Sequence, residues 1–292
     1  MRARTGSSRV YAAGAAAILA SALAGCAAAG GGAGPTSSSA APSPLDAVRL
    51  ASKTTSGASS FTGTMSVQAT AKSGSTAQNV SFTATMAEQL HPSLLAQVNI
   101  GALRAAGSTL PAGLDEIVTP STIYMKWPFL TQELHLTKPW LGIPLSSLSK
   151  GTGINFSQLF SQATSSSPLS ESQMLAGATK VRKVSTAIIG GVAVTEYTGT
   201  LSLDKGIQYL SGSVKAQVQK EIAAAGLTTA TFTVWIDGQH IVRKAIVKEN
   251  GTALTETITV TVDTLNQPVN ITVPAAGQTS PLPSSALGSL NS

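Results

Sequence analysis

The stretch TATFTVWIDGQHIVRKAIVKENGTALTETITVTV, residues 229–262, decides the fold. Apolar and polar residues alternate along Thr229–Ile236, Ile241–Lys248 and Leu254–Val262. A strand sends successive side chains to opposite faces, so each run has one apolar and one polar face. Asp237-Gly238 and Asn250-Gly251 lie between the runs. Such pairs supply the positive φ angles of type I′ turns, whose twist matches that of the strands they join. A short strand over Val269–Val273 would complete an antiparallel meander.

Upstream, Ile207, Leu210, Val214, Val218 and Ile222 recur at helical spacing opposite Lys215, Gln219 and Lys220. Asp204 is placed to cap this helix and Gly226 to end it. Before it, Val181–Ile188 and Val192–Leu203 flank Gly190-Gly191 as a hairpin. Earlier still, Phe61, Gly63, Met65, Val67 and Ala69 alternate with polar residues, as do Val80, Phe82, Ala84 and Met86, and Lys72-Ser73-Gly74-Ser75 joins the two runs. Leu94–Ile100 and Thr122–Lys126 read as further strands. Pro128, Pro139 and Pro144 interrupt the middle. Ser146–Pro168, rich in Ser, Gly and Thr, reads as a loop or lid followed by a short helix near Ser170–Leu175. One helix and a lid cover one face of so large a sheet. The expected fold is therefore α+β: a curled antiparallel half-barrel of about 8 to 11 strands, wrapped on one long amphipathic helix and a short helix or lid.

The ends differ from this domain, which is expected to span residues 45–274. Arg2, Arg4 and Arg9 precede an apolar, Ala-rich run from Val10 to Leu23 that is too short for a permanent span. The tetrad Leu23-Ala24-Gly25-Cys26 follows, with the chain's single cysteine at its end. It resembles a lipobox: residues 1–25 read as a lipoprotein signal peptide, cut between Gly25 and Cys26, with Cys26 as the acylated N-terminus. The competing reading is an ordinary secretory signal beside a chance cysteine. Residues 26–44 are largely Ala, Gly, Ser, Thr and Pro, a composition that cannot offset its ordering entropy, and read as a flexible tether; residues 275–292 read as a disordered tail.

Composition and motifs exclude several functions. Without Arg2, Arg4 and Arg9 the formal charge falls from +6 to +3, and the remaining cations are scattered, so nucleic acid is not an expected partner. One cysteine rules out an intrachain disulfide and any Cys-based metal centre. His91, His135 and His240 have no partner at metal spacing. Ser147-Leu148-Ser149-Lys150 fits the Ser-x-x-Lys pattern, but its companion motifs are missing and serine is abundant. Asp115, Glu116, Glu133, Glu171, Glu196, Asp237, Glu249 and Glu256 are spread along strands and turns. No catalytic residue, metal ligand or cofactor is expected.

Three sets of residues carry a family resemblance: Leu175-Ala176-Gly177-Ala178-Thr179-Lys180-Val181 with Gly190-Gly191-Val192 and Thr195-Glu196-Tyr197-Thr198-Gly199-Thr200-Leu201; Ile123-Tyr124-Met125-Lys126 with Lys138-Pro139-Trp140; and Val234-Trp235-Ile236-Asp237 with Arg243-Lys244. From about Asp46 to Pro274 the chain resembles actinobacterial cell-envelope lipoproteins related to mycobacterial lipid carriers. Their fold is similar to the periplasmic lipoprotein carriers of Gram-negative bacteria. The resemblance implies a half-barrel over an apolar cavity that binds and transfers lipid or lipoglycan.

Such a site needs concave apolar surface with few polar anchors. Met65, Val67, Phe82, Met86, Val98, Ile100, Tyr124, Phe232 and Val234 on the strands, with Leu210 and Val214 on the helix, are the candidate lining; packed against one another they would make an ordinary core. The expected protein is a monomer on the extracytoplasmic face of the cell membrane. It is held there by fatty acyl chains such as palmitate on Cys26, and it carries a membrane lipid or lipoglycan without catalysis. The alternatives are a tethered scaffold or sensory protein with a filled core and, more remotely, an enzyme, which a convergent pair of strongly shifted titratable groups would favour.

Overall fold

The computed structural model describes residues 42–73, 76–105, 108–110, 113–146, 174–210 and 212–283. The expected signal peptide, most of the tether, the Ser-rich segment from 147 onward and the last residues of the tail lie outside the described residues.

The alternating runs form one sheet of 13 strands. The long ones are β1 (Ser60–Ser73), β2 (Thr76–Gln89), β3 (Leu95–Ala105), β8 (Ala178–Ile189), β9 (Val192–Ser202), β10 (Thr229–Asp237), β11 (Val242–Asn250) and β12 (Leu254–Leu265). Between β3 and β8 come the shorter β4 (Ser108–Leu110), β5 (Leu114–Val118), β6 (Thr122–Lys126) and β7 (Trp140–Pro144), with the short helix α2 (Pro128–Glu133) between β6 and β7, and β13 (Thr279–Pro281) comes last. The order across the sheet is β13-β7-β6-β5-β3-β2-β1-β12-β11-β10-β9-β8, with β4 off this path beside β3. The sheet is curled and unclosed, the α+β half-barrel read from the sequence. Pairing is antiparallel except between β13 and β7, which run parallel.

Two expectations at the C-terminus are corrected. Val269–Val273 is not a strand. Instead Thr279–Pro281, expected in a loose tail, pairs with Trp140–Gly142, and Lys138 Nζ donates to the carbonyls of Ala276 and Thr279. These residues are held by the neighbour's open backbone groups and by one lysine, neither of which leaves an apolar pattern.

The expected long helix is also corrected. It divides into α3 (Leu203–Gly206), a 3-10 turn at Ile207–Tyr209, an extended Leu210 and α4 (Gly212–Ala225). Gly206 and Gly212 flank the break, and an interior glycine costs a helix roughly 1 kcal/mol relative to alanine. The apolar stripe survives, because Ile207, Leu210, Val218 and Ile222 are all buried. Gly226 ends α4 at φ +67° with the amide of Leu227 bonded back to the Ile222 carbonyl, as the sequence suggested.

A further helix had no clear sequence signal. α1 (Pro44–Ser56) starts at Ser43, whose hydroxyl accepts from the Asp46 amide, with Pro44 in the first turn and Lys53 in the last. Its buried face is Ala47, Val48, Ala51, Ser52 and Thr55, so small and polar that periodicity hardly registers. α1 packs against β8, β10 and β11. Buried Thr55 Oγ1 accepts the amide of Val242 at 3.0 Å, tying the helix to the start of β11.

Of the three glycine-containing hairpin turns that lie within the described residues, only Gly190-Gly191 has two positive φ angles, +57° and +79°, joining β8 to β9 as a two-residue turn. The type I′ expectation for the other two is corrected. At Asp237-Gly238 the positive φ belongs to His240, and the Asp237 carboxylate organises the loop. After Asn250 a longer loop opens, in which Gly251 donates to Leu254 and Ala253 donates to Ala225 at the end of α4.

The main core joins α1, β1, β2 and β8 to β12 with α3 and α4: Phe61, Phe232, Leu203, Ile207, Val48, Val67 and Val234 are the largest fully buried side chains. A second, small cluster of Leu94 and Leu145 serves the β5–β6 side, with Leu90, Val118 and Ile123 packed on it.

Candidate lipid-binding face

Register assigns the residues to faces. Met65 lies opposite Ala84, Val67 opposite Phe82, and Met86 opposite Val98, so the odd positions of β1 and the even positions of β2 share one face. Across the other flank Val67 meets Ile258, Ile258 meets Val247, and Val247 meets Phe232. These side chains belong to the main core cluster together with α1, which marks this face as the inner one. Glycine has one specific use on it: Gly199 lies opposite Phe232, and a Cβ there would meet the Phe232 ring at 2.7 Å. The ring covers the glycine.

Of the predicted lining, Met65, Val67, Phe82, Met86, Phe232, Val234 and Leu210 are buried in the core. Val98 and Ile100 are different: they sit half-buried on the inner face of β3, packed on that core. Val214 falls within α4, and its side chain lies outside the described residues, as do Gly25 and Cys26. Tyr124 is corrected. It pairs with Ile117 and Gly142, whereas Glu116, Met125 and Leu141 continue the face of Val98, so Tyr124 is on the opposite face. Ile123-Tyr124-Met125 is apolar at all three positions, and only register separates its faces.

The inner face therefore has two parts. Buried side chains fill its centre. Around them Val98, Ile100 and Leu103 on β3, Tyr197 on β9, Ala245 and Val247 on β11 and Val260 on β12 pack against the core yet remain half-accessible.

Sequence reasoning missed the polar side chains on this face. Glu116 is opposite Val98, and Glu249 is directly opposite Glu256 on β11 and β12. Glu256 is 3% exposed, and its Oε2 has no hydrogen-bond partner. Burial, and then the facing Glu249 carboxylate, push the Glu256 carboxyl up to about 7. Burial also raises Glu249 and Glu116 above the usual carboxylate range. The flanking positions in the sheet are Ala69 and Ala230. Methyl groups thus border the pair on both sides within the sheet, and among the described residues neither carboxylate is in a salt bridge. A carboxyl that keeps its proton near neutrality can donate a hydrogen bond, so the pair presents both a donor and an acceptor.

The residues that carry the family resemblance have structural roles. Asp237, 2% exposed at its side chain, accepts from the amides of Gln239 and Ile241 and from Arg243 Nε at 2.7 Å. Lys244 Nζ lies 5.2 Å from the centre of the Trp235 ring, and Lys126 Nζ 5.8 Å from that of Trp140. Lys126 also reaches Asp115 at 3.3 Å.

The chain is similar to solved mycobacterial lipoproteins. Lipoprotein LppX of Mycobacterium tuberculosis is 20% identical, with 78% of this chain and 98% of that one covered and a TM-score of 0.41. LprF of Mycobacterium bovis is 14% identical over 80% of this chain and 97% of its own, with a TM-score of 0.47. A LolA superfamily protein of Nitrosomonas europaea is 8% identical over 76% and 92% of the two chains, with a TM-score of 0.28. These belong to the groups that the sequence resembles. No protein-family model and no curated protein matches the chain. Among the described residues no helix is long and apolar enough to cross a membrane, and no three His, Cys, Asp or Glu side chains converge as a metal site would require.

Proposed function

We propose that this protein is a lipid-anchored envelope lipoprotein, a monomer acylated at Cys26, that takes acyl chains of a membrane lipid or lipoglycan onto the inner face of its half-barrel and carries them without catalysis. One observation carries this reading. Val98, Ile100, Leu103, Val247 and Val260 remain half-accessible on the curled face of an unclosed sheet. In a scaffold with a filled core the same residues would be expected to be buried, because the inner face has no other use. Accessible apolar area gains roughly 25 cal/mol per Å² when an acyl chain covers it. The Glu249–Glu256 pair suits a polar anchor for a hydroxyl or amide of the ligand rather than an acid–base couple, since no nucleophile adjoins it within the sheet.

Native mass spectrometry of the full-length protein, purified from its own host, tests the proposal. The expected result is a bound lipid of defined mass that is lost from Ile100→Trp, whose ring would fill the accessible edge of β3. Protein that emerges empty and rejects added phospholipid would favour the scaffold.

A further inference from the structure

The free end of the β8–β9 hairpin carries the most exposed large apolar side chain among the described residues. The ladder between β9 and β10 stops at Asp237 and Val194, whereas that between β8 and β9 continues through Ile188–Ala193 to Ile189–Val192. The last two rungs therefore stand beyond β10 as a two-stranded tip. From Ala187 to Ala193 every side chain is aliphatic or absent. Ile188 is 75% exposed, the most accessible of the large apolar side chains described, and Val184 on the same strand is 44% exposed.

A single exposed isoleucine needs no explanation. The surrounding charge makes this one informative. Lys180, Arg182 and Lys183 are exposed on β8, and residues 178–195 contain no carboxylate. The next acid in sequence, Glu196, accepts from Ser185 at 2.6 Å, and Asp237, opposite Val194, is bound to Arg243. β8 thus combines an aliphatic tip with a band of cations that begins at Lys183, five residues back from Ile188. Protein-binding hot spots are enriched in aromatic residues, which this tip lacks. Apolar side chains that enter the acyl boundary, with lysine and arginine at headgroup level, are the arrangement that holds a surface-bound segment to anionic lipid. Among the described residues β8 is the end strand of the sheet, and an edge strand's outer backbone groups favour water over the apolar layer, so docking through the tip stays shallow.

We infer that the β8–β9 tip, centred on Ile188 and flanked by Lys180, Arg182 and Lys183, is a docking element for an anionic lipid surface. Lys183 pairs with Tyr197 and Ile188 with Ala193, so both point to the inner-face side of the sheet. The inference rests on the envelope location proposed above, and the test separates the two.

Full-length acylated protein carrying Ile188→Cys, labelled with an environment-sensitive nitrobenzoxadiazole group, is reconstituted into vesicles of phosphatidylglycerol and phosphatidylcholine. Flotation reads the anchor; emission and quenching by doxyl lipids read the docking. We expect a blue-shifted, quenchable label at 188 and an aqueous one at Val273→Cys. Adding Lys180→Gln, Arg182→Gln and Lys183→Gln, or using pure phosphatidylcholine, should lower the docked fraction roughly tenfold or more. A label at 188 that stays aqueous on floated protein overturns the docking inference. Protein that does not float refutes the anchor alone, and docking is then read by titrating anionic vesicles into the labelled chain, where an unchanged emission again overturns it.

Discussion

Asp237→Ala is expected to lower the unfolding free energy by about 3–5 kcal/mol, the range for breaking one side of a buried ion pair. The carboxylate is 2% exposed and accepts from Arg243 and from two backbone amides, so its removal leaves a partly buried guanidinium and two unpaired N–H groups. The loop it organises lies beside Val242, whose amide is held by Thr55 of α1, so the damage should extend to the helix. For a domain of this size the loss corresponds to roughly 10 °C in Tm. Urea denaturation checks it, with Asp237→Asn expected to lose less because it keeps an acceptor for the amides. A loss under about 1 kcal/mol would show that the pair is effectively solvated.

Glu256→Gln is expected to act in the opposite direction at neutral pH. Folding raises the Glu256 pKa from 4.5 to about 7. Below about pH 4.5 both the folded and the unfolded chain hold this proton, and the group makes no difference to stability. Between 4.5 and 7 the unfolded chain has released it and the folded chain has not, so stability falls as pH rises, by about 1.4 kcal/mol per unit. Above 7 the accumulated cost, roughly 3 kcal/mol, stays in full. Glu249 and Glu116, also raised by burial, add to the same trend. Removing the charge with Gln should therefore raise stability at pH 7.5 by up to about 3 kcal/mol and flatten the slope between pH 4.5 and 7. Denaturation curves across that range check it. A variant less stable than the parent at pH 7.5 would show that the carboxylate has a compensating partner.

The long ladders were legible because Thr and Ser alternate with Val, Ile and Phe, leaving one face of each strand able to form a core. β5, β7 and β13 were not: they lie toward one end of the sheet, and five residues or fewer carry too little alternation to register. α1 escaped notice because its buried face is mostly Ala, Ser and Thr. Faces were legible where apolar residues stand singly, as at Met65 and Phe232, and ambiguous where they run together, as around Tyr124. The Glu249–Glu256 pair depended on register alone. A two-residue turn at Asn250-Gly251 would set Glu249 opposite Thr252, whereas the observed loop sets it opposite Glu256. The half-accessible rim of Val98, Ile100, Val247 and Val260 could not be told from the buried centre, since the same residue types serve both.

The most direct test of acyl-chain binding on the inner face is photocrosslinking of the full-length protein with a phospholipid that carries a diazirine in its acyl chain, followed by peptide mapping. Crosslinks on Val98–Leu103 of β3, Val247 of β11 and Val260 of β12, reduced in Ile100→Trp, are the expected result. Crosslinks absent, or confined to the opposite face around Tyr124 and Trp140, would contradict it.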